Sequence, residues 1–147
     1  MKLSWTITMM NRFDIAHLEA ANVYSKLSTA TRAKVGCLIV KDNRIISIGY
    51  NGTPSGWDNT CENENNETKP EVLHAETNAI AKLARSTESG EGATLYCTHS
   101  PCLSCSKLIY QSGIQRVVYE TSYAGKEGTE FLLMAGIIVE GLYDAIS

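Results

Sequence analysis

Two short stretches of the sequence carry side chains that could hold one metal ion. "LHAETNAI" (residues 73–80) contains His74 and Glu76, and "SPCLSC" (residues 100–105) contains Cys102 and Cys105. Two cysteines at C-x-x-C spacing on the first turn of a helix can face the same ion, and the amides and dipole of that helix end favour the thiolate form. A tetrahedral site needs more ligands, and His74 is the obvious third. We therefore predict a metal site formed by His74, Cys102 and Cys105.

The carboxylate of Glu76 indicates what such a metal would do. Three protein ligands leave the fourth position of a zinc ion open to water, which is typical of catalytic sites. A neighbouring carboxylate can then move the proton of that water. His74 and Glu76 do not share a face of a regular helix, so both can serve one site only at its extreme start. We predict that Glu76 is the proton shuttle and not a metal ligand.

Less specific interpretations exist for each motif. A C-x-x-C pair alone is equally typical of a redox pair or a structural zinc site, and a fourth ligand from Cys61 or Cys97 would close the site. A single glutamate such as Glu76 is most often a solvated helix residue. The combination of H-x-E at 74–76 with P-C-x-x-C at 101–105 is the signature of zinc-dependent nucleobase deaminases, and it favours catalysis.

The periodicity of apolar residues predicts the elements that must position these side chains. Strands that alternate with helices imply right-handed crossovers and a parallel part of the sheet, joined here to an initial antiparallel hairpin with its turn at 41–43. We expect Ser100 to be the N-cap of the cysteine-bearing helix. The predicted elements are a helix over about 13–27, strands "VGCLIV" and "RIISIGY", a helix over about 72–86, strand "ATLYCT", helix "SPCLSCSKLIYQSG", strand "IQRVVYE", helix "GTEFLLMAG" and strand "IIVEGL".

Composition limits the class of protein. Apolar residues make up 44% and charged residues 20% of 147, which predicts a soluble single domain over residues 1–147. The net charge of −3 argues against nucleic-acid coat proteins and polybasic membrane binders. We find neither an apolar run of roughly 20 residues nor a signal peptide, and we expect a cytoplasmic protein. Of the five cysteines, Cys37 and Cys97 should be buried, and Cys61 should be a free thiol in a polar loop.

The sequence resembles the deoxycytidylate (dCMP) deaminase family of the cytidine deaminase superfamily over roughly residues 13–142. The resemblance rests on "TRAKVGCLIV", "GYNGTPSG", "HAETNAI", "SPCLSCSKLIYQSGI" and "RVVYETSY". It implies an α/β fold with three layers, α/β/α, around a five-stranded mixed sheet. It also implies one catalytic Zn²⁺ per chain on His74, Cys102 and Cys105. Glu76 would protonate N3 of cytosine and help ammonia leave C4, which yields deoxyuridylate (dUMP) for thymidylate synthesis.

The same resemblance implies residues that contact dCMP. Many relatives carry an arginine where this chain has Leu27, so Lys26 or Lys34 is a further candidate for the phosphate, and a solvated basic loop is the alternative. His99 precedes the cysteine-bearing helix, where a histidine can line the rim of the site, but we expect both His99 and His17 to be structural. The implied substrate contacts are Asn51 and Ala75 for the base and sugar, and Ser28, Arg32 and Tyr123 for the phosphate.

Regulation is also implied by the resemblance. Members of the family commonly form hexamers that are activated by dCTP with Mg²⁺ and inhibited by dTTP, with the effector beside the Gly-rich loop. Gly52, Gly56 and Asp58 are the candidate contacts here. The insertion "NTCENENNETKPEV" contains no histidine, so we expect no second, structural zinc there. The alternatives are a deaminase of adenosine or cytidine in tRNA, which shares both metal motifs, and a non-catalytic zinc-stabilised binding module.

Overall fold

The computed structural model describes residues 10–123 and 125–143 of the chain. Their element order agrees with the one predicted from the sequence. No helix among these residues is long and apolar enough to cross a membrane. The elements are α1 (Arg12–Ser25), β1 (Gly36–Lys41), β2 (Arg44–Tyr50), α2 (Ala75–Ala84), β3 (Thr94–His99), α3 (Leu103–Gln111), β4 (Arg116–Thr121), α4 (Glu127–Met134) and β5 (Ile138–Gly141).

The five strands form one mixed sheet in the order β2-β1-β3-β4-β5. Strand β1 is antiparallel to both β2 and β3, whereas β3, β4 and β5 are parallel. The hairpin between β1 and β2 turns through Asp42 and Asn43, which have φ values of 52° and 59°. Two left-handed residues in a two-residue loop match the right-handed twist of the strands, so this part of the prediction is confirmed.

The alternation of side chains along the strands builds one core on each face of the sheet. Leu38, Tyr96 and Val118 pack with α1 on one face. Ile39, Leu95 and Val117 point the other way, into a larger core with α2, α3 and α4. Neighbouring residues of a strand point to opposite faces, so a sheet covered by helices on both sides has almost continuously apolar strands. The predicted three-layer α/β/α architecture is confirmed.

The starts of the two metal-bearing helices differ from the predictions. Helix α2 begins at Ala75 rather than near residue 72, with His74 as its N-cap. Helix α3 begins at Leu103 with Cys102 as its N-cap, so the prediction of Ser100 as the N-cap was wrong. The Ser100 hydroxyl instead accepts a hydrogen bond from the Tyr123 amide at 2.8 Å. It therefore ties the loop before α3 to the loop after β4.

Candidate metal centre and active site

The starts of α2 and α3 bring the three predicted metal ligands together. His74 and Cys102 are the N-caps of the two helices, and Cys105 lies in the first turn of α3. The His74 Nδ1 atom lies 3.6 Å from Cys102 Sγ and 3.4 Å from Cys105 Sγ. All three ligand atoms lie within 4.8 Å of one another. The positive ends of two helix dipoles therefore meet at two thiol groups, which favours thiolates.

These distances fit a zinc ion. Bond lengths of about 2.3 Å to sulfur and about 2.05 Å to nitrogen, at a tetrahedral angle, put the two ligand atoms about 3.5 Å apart. Burial raises the pKa of the Cys105 thiol above its usual 9.0, so the thiolate there needs a cation beside it. The two N···S distances and the His-Cys-Cys donor set therefore fit a zinc ion, and these three residues could hold one.

Two glycines allow the ligand-bearing segments to approach their neighbours closely. A methyl group on Gly49 of β2 would overlap the Ala75 oxygen and lie 2.7 Å from the Ala79 nitrogen. A methyl group on Gly128 of α4 would overlap the Pro101 oxygen and lie 2.7 Å from the carbonyl carbon of Cys102. The position of each ligand helix start therefore depends on the absence of a side chain next to it.

Glu76 lies in the first turn of α2 and is only 4% exposed. Burial raises the pKa of its carboxyl group from 4.5 to about 7, and the hydrogen bond from its own amide only partly offsets this. A carboxyl group with a pKa near 7 can both accept and release a proton at neutral pH. It lines the same pocket as His74 and Cys102, so two candidate metal ligands and a carboxyl group that can exchange a proton share one cavity.

The walls of the pocket contain most of the predicted substrate contacts. Ala75, the exposed Arg32, Asn51 and Tyr123 all line it. The Asn51 side chain accepts from the Val35 amide at 2.9 Å and donates to the Ala33 oxygen at 2.8 Å. These bonds join the segment before β1 to the end of β2, so Asn51 shapes the wall between them.

Five predicted site residues are not part of the pocket lining: Cys105, Ser28, Gly52, Gly56 and Asp58. The Ser28 hydroxyl is 2% exposed and donates to the Asn51 oxygen at 2.7 Å, so its contact with a phosphate stays a prediction. Gly52 pairs with Leu73, and Gly56 has a φ of 87° with open space around its Cα atom. The Asp58 carboxylate accepts from the Thr60 amide, and this hydrogen bond lowers its pKa. The effector role of the last three also stays a prediction.

The structure also places in the pocket Glu62, which the sequence did not indicate, and Cys61, which the sequence indicated only as a fourth ligand that would close the metal site. The polar insertion turns back on itself through a bridge between Glu62 and Thr68, which brings the buried Cys61 and Glu62 to the wall. The Glu62 carboxylate accepts from the amides of Thr31 and Arg32 at 3.0 and 3.2 Å. Burial would raise the pKa of Glu62, but the bonds from these two amides outweigh it and lower the pKa. A run of Asn and Glu residues gives no signal of such burial.

Two further residues of the pocket lining had been assigned other roles from the sequence. His99, which we expected to be structural, ends β3 and lines the pocket beside Tyr123. Val72, which we assigned to the predicted helix, also lines the pocket. Cys37 and Cys97 are fully buried partners on β1 and β3, as predicted. All five cysteines are free thiols.

Comparison with known proteins was consistent with this geometry. Residues 11–121 match the family described as "Cytidine and deoxycytidylate deaminase zinc-binding region". The chain is 41% identical over 140 residues to a deoxycytidylate deaminase of Schizosaccharomyces pombe, covering 85% of this chain but 43% of that protein. This chain therefore spans less than half the length of that relative.

Solved structures of two kinds are similar to this one. A dCMP deaminase from the cyanophage S-TIM5, in complex with dCMP and dUMP, is 44% identical, with a TM-score of 0.87 over 90% of this chain and 98% of that chain. A structure from a study of tRNA:A34 deaminases is 25% identical, with a TM-score of 0.61 over 87% of this chain and 98% of that chain. The family match over most of the chain and the fold shared with dCMP deaminase structures show that this chain belongs to the cytidine and deoxycytidylate deaminase family.

Proposed function

We propose that the protein hydrolyses dCMP to dUMP and ammonia with the help of one Zn²⁺ ion per chain. The observation that carries this proposal is that His74 and Cys102, two members of the His74, Cys102 and Cys105 cluster, line the same pocket as the buried Glu76 carboxyl group. The similarity to a dCMP deaminase solved with dCMP and dUMP supports the choice of substrate. The product would supply deoxyuridylate for thymidylate synthesis.

Four residues, which we call the floor of the site, have one role each in this reaction: His74, Glu76, Cys102 and Cys105. His74, Cys102 and Cys105 would hold the Zn²⁺, which would supply the Lewis acidity that makes water nucleophilic near neutral pH. Glu76 accepts a proton from the water that attacks C4 of cytosine. It then delivers protons to N3 and to the departing amino group, which leaves as ammonia. The water oxygen becomes O4 of dUMP, so the protons of one water molecule account for both transfers.

The walls hold the rest of the nucleotide in this proposal. Asn51 and Ala75 contact the base and sugar, and Arg32 and Tyr123 lie toward the phosphate, with Ser28 as a further contact. Charge-assisted hydrogen bonds to a phosphate contribute about 1.5–3 kcal/mol each. Arg32 supports this role because it is an exposed cation on the pocket wall.

The proposal extends to regulation and assembly. The chain acts as one deaminase domain in the cytoplasm and assembles into hexamers that dCTP with Mg²⁺ activates and dTTP inhibits. Gly52, Gly56 and Asp58 contact the effector. The support is chemical: the exposed loop has a glycine where amides can approach a triphosphate, and Asp58 is an exposed carboxylate that a Mg²⁺ ion can bridge to phosphates.

Ammonia release tests the substrate directly. dCMP, dCTP, deoxycytidine and a tRNA anticodon hairpin are assayed side by side with zinc-loaded protein, and dCMP should give the highest kcat/KM. Preference for the hairpin would support the tRNA alternative. Absence of ammonia from all four, with zinc bound, would leave the non-catalytic zinc module.

Substitution at the floor tests the role of Glu76. Glu76→Gln should abolish turnover because an amide cannot accept the water proton, while zinc content stays at one ion per chain. His74→Ala is the matched comparison and should lose the metal, because it removes a ligand. Near-normal activity of Glu76→Gln would refute the assigned role.

Steady-state kinetics and sedimentation test the regulation. Without effector, the rate should depend sigmoidally on dCMP concentration, and dCTP with Mg²⁺ should make the curve hyperbolic while dTTP opposes that change. A monomer with a hyperbolic curve that neither nucleotide alters would refute this part alone.

A further inference from the structure

Thr98 fixes which nitrogen of His99 carries the proton. The Thr98 hydroxyl is 2% exposed, accepts from the Gly36 amide at 3.2 Å, and lies 2.9 Å from His99 Nδ1. Gly36 can only donate here, so within the described chain Nδ1 is the acceptor that the hydroxyl proton can reach. If Nδ1 carried a proton instead, that buried hydroxyl proton would have no acceptor, and a buried donor without an acceptor is destabilising. The hydroxyl therefore donates to Nδ1.

The consequence is a neutral imidazole with its proton on Nε2. Burial lowers the pKa of His99, although the charge of Glu120 acts in the opposite direction, so the neutral ring is favoured. Among the described residues, none forms a hydrogen bond with Nε2. The Thr98 hydroxyl occupies Nδ1 of His99. The Nε2–H group is therefore the part of the ring that can donate a hydrogen bond to a ligand in the pocket that His99 lines.

The surroundings of His99 indicate which end of a nucleotide this donor meets. The ring packs edge-to-face against Tyr123, with centroids 5.3 Å apart, and Tyr123 is 54% exposed and lines the same pocket, so His99 lies beside a solvent-accessible part of the wall. The amino group of a cytosine must reach the floor at Glu76, and the 5′-phosphate is the far end of the nucleotide. The opposite tautomer would present a lone pair to that phosphate and repel it.

We propose that His99 is a specificity-determining residue whose Nε2–H donates a hydrogen bond to the 5′-phosphate of the substrate. This inference rests on the proposed function for the orientation of the nucleotide. A hydrogen bond to a charged group corresponds to roughly a tenfold or larger change in affinity. His99 thus separates nucleotides from nucleosides, and Thr98 keeps it in the tautomer that can do so.

Binding of two non-reacting ligands tests the inference without any turnover. Calorimetry on the zinc-loaded protein measures the binding affinities for dUMP and deoxyuridine. His99→Ala should weaken the binding of dUMP about tenfold and leave the affinity for deoxyuridine unchanged. His99→Gln keeps an N–H donor and should recover part of the lost affinity for dUMP. Equal losses for both ligands, or no loss for dUMP, would overturn the proposal. Wild-type protein that binds dUMP as predicted but does not deaminate dCMP would contradict the proposed function and not this inference.

The tautomer has its own measurement. Long-range ¹H–¹⁵N correlation spectra of the imidazoles distinguish protonated from unprotonated nitrogens, and the His99→Gln spectrum identifies the His99 signals among the three histidines. The expected result is an unprotonated Nδ1 and a protonated Nε2 near pH 7. The reverse pattern, or a ring with both nitrogens protonated, would overturn the assignment.

Discussion

Replacement of Asp14 by alanine should destabilise the whole domain, because Asp14 anchors α1 to the sheet through a buried charge. Asp14 is only 1% exposed. Its carboxylate accepts two hydrogen bonds from the Arg116 guanidinium, each 2.9 Å long. It also accepts from the Tyr96 hydroxyl at 2.6 Å and the Asn11 amide at 3.1 Å. Glu140 binds the other side of Arg116 at 2.7 Å.

The magnitude follows from what the alanine leaves behind. Removal of one partner of a buried ion pair costs about 3–5 kcal/mol, chiefly because the other charge stays buried. Glu140 still neutralises Arg116 in the variant, which places the cost near the lower limit, at about 3 kcal/mol. A domain of this size is stable by about 5–15 kcal/mol, so the loss is a large fraction of the total.

The contribution of Asp14 should also depend on pH. Burial alone would raise its pKa, but the hydrogen bonds from Arg116 and Tyr96 outweigh burial and hold the folded pKa below the usual 3.8. A carboxylate with a lowered folded pKa adds stability that is fully present above the unfolded pKa and is lost as the pH falls through the folded one. The difference in the free energy of unfolding between the wild type and Asp14→Asn should therefore become smaller below about pH 4.

Urea unfolding followed by circular dichroism measures both effects. Glu19→Ala is the matched control, because Glu19 is an exposed carboxylate on the same helix and should change stability by less than about 0.5 kcal/mol. The reasoning is refuted if Asp14→Ala is no less stable than the control. It is also refuted if the gap between wild type and Asp14→Asn stays constant between pH 7 and pH 3.

Three further predictions concern the site. Gly128→Ala should lower zinc content in equilibrium dialysis, because its methyl group would push the loop before Cys102, whereas Thr129→Ala on the same helix should bind zinc normally. Glu62→Ala should speed hydrogen exchange of the Thr31 amide and raise the KM for dCMP, and Glu62→Gln, which keeps an acceptor, should restore both. Removal of zinc by a chelator should lower the melting temperature of the wild type but not of His74→Ala, because only the folded site binds the ion.

The metal cluster could be predicted from the sequence because its ligands lie in two short motifs that occur together. Cys102 and Cys105 lie within one helical turn, and His74 and Glu76 share a helix start. The contact between His74 and Cys102 spans 28 residues, and only the combined H-x-E and P-C-x-x-C signature predicted it. The strands were predictable for a similar reason, since Leu38 and Ile39 are apolar neighbours only in a strand covered on both faces. Local periodicity therefore predicted the architecture, and the combined motif signature predicted the floor of the site.

The walls of the pocket could not be predicted in this way, because contacts distant in sequence decide them. The burial of Glu62 depends on two amides about thirty residues earlier, which any carboxylate in the insertion could have bound. The prediction of Ser100 as an N-cap was wrong for the same reason, because the Ser100 hydroxyl accepts a hydrogen bond from the distant Tyr123 amide instead. The pairing of Asp14 with Arg116 spans 102 residues. Only a three-dimensional structure supplies these partners.

We expect the floor of the site, with the metal ligands and Glu76, to carry the chemistry and the walls of the pocket to decide the specificity for the substrate. Backbone packing at Gly49 and Gly128 sets the starts of α2 and α3, so the positions of the metal ligands and Glu76 depend little on side chains that could vary. Loops supply Arg32, Glu62 and Tyr123 to the pocket wall, and we expect these residues to decide which substrate reaches that floor. A substitution at either glycine should therefore lower kcat for every substrate together, whereas a substitution in a wall loop should change the ratio between dCMP and deoxycytidine. Wall variants that reduce both substrates equally would show that the loops also position the floor.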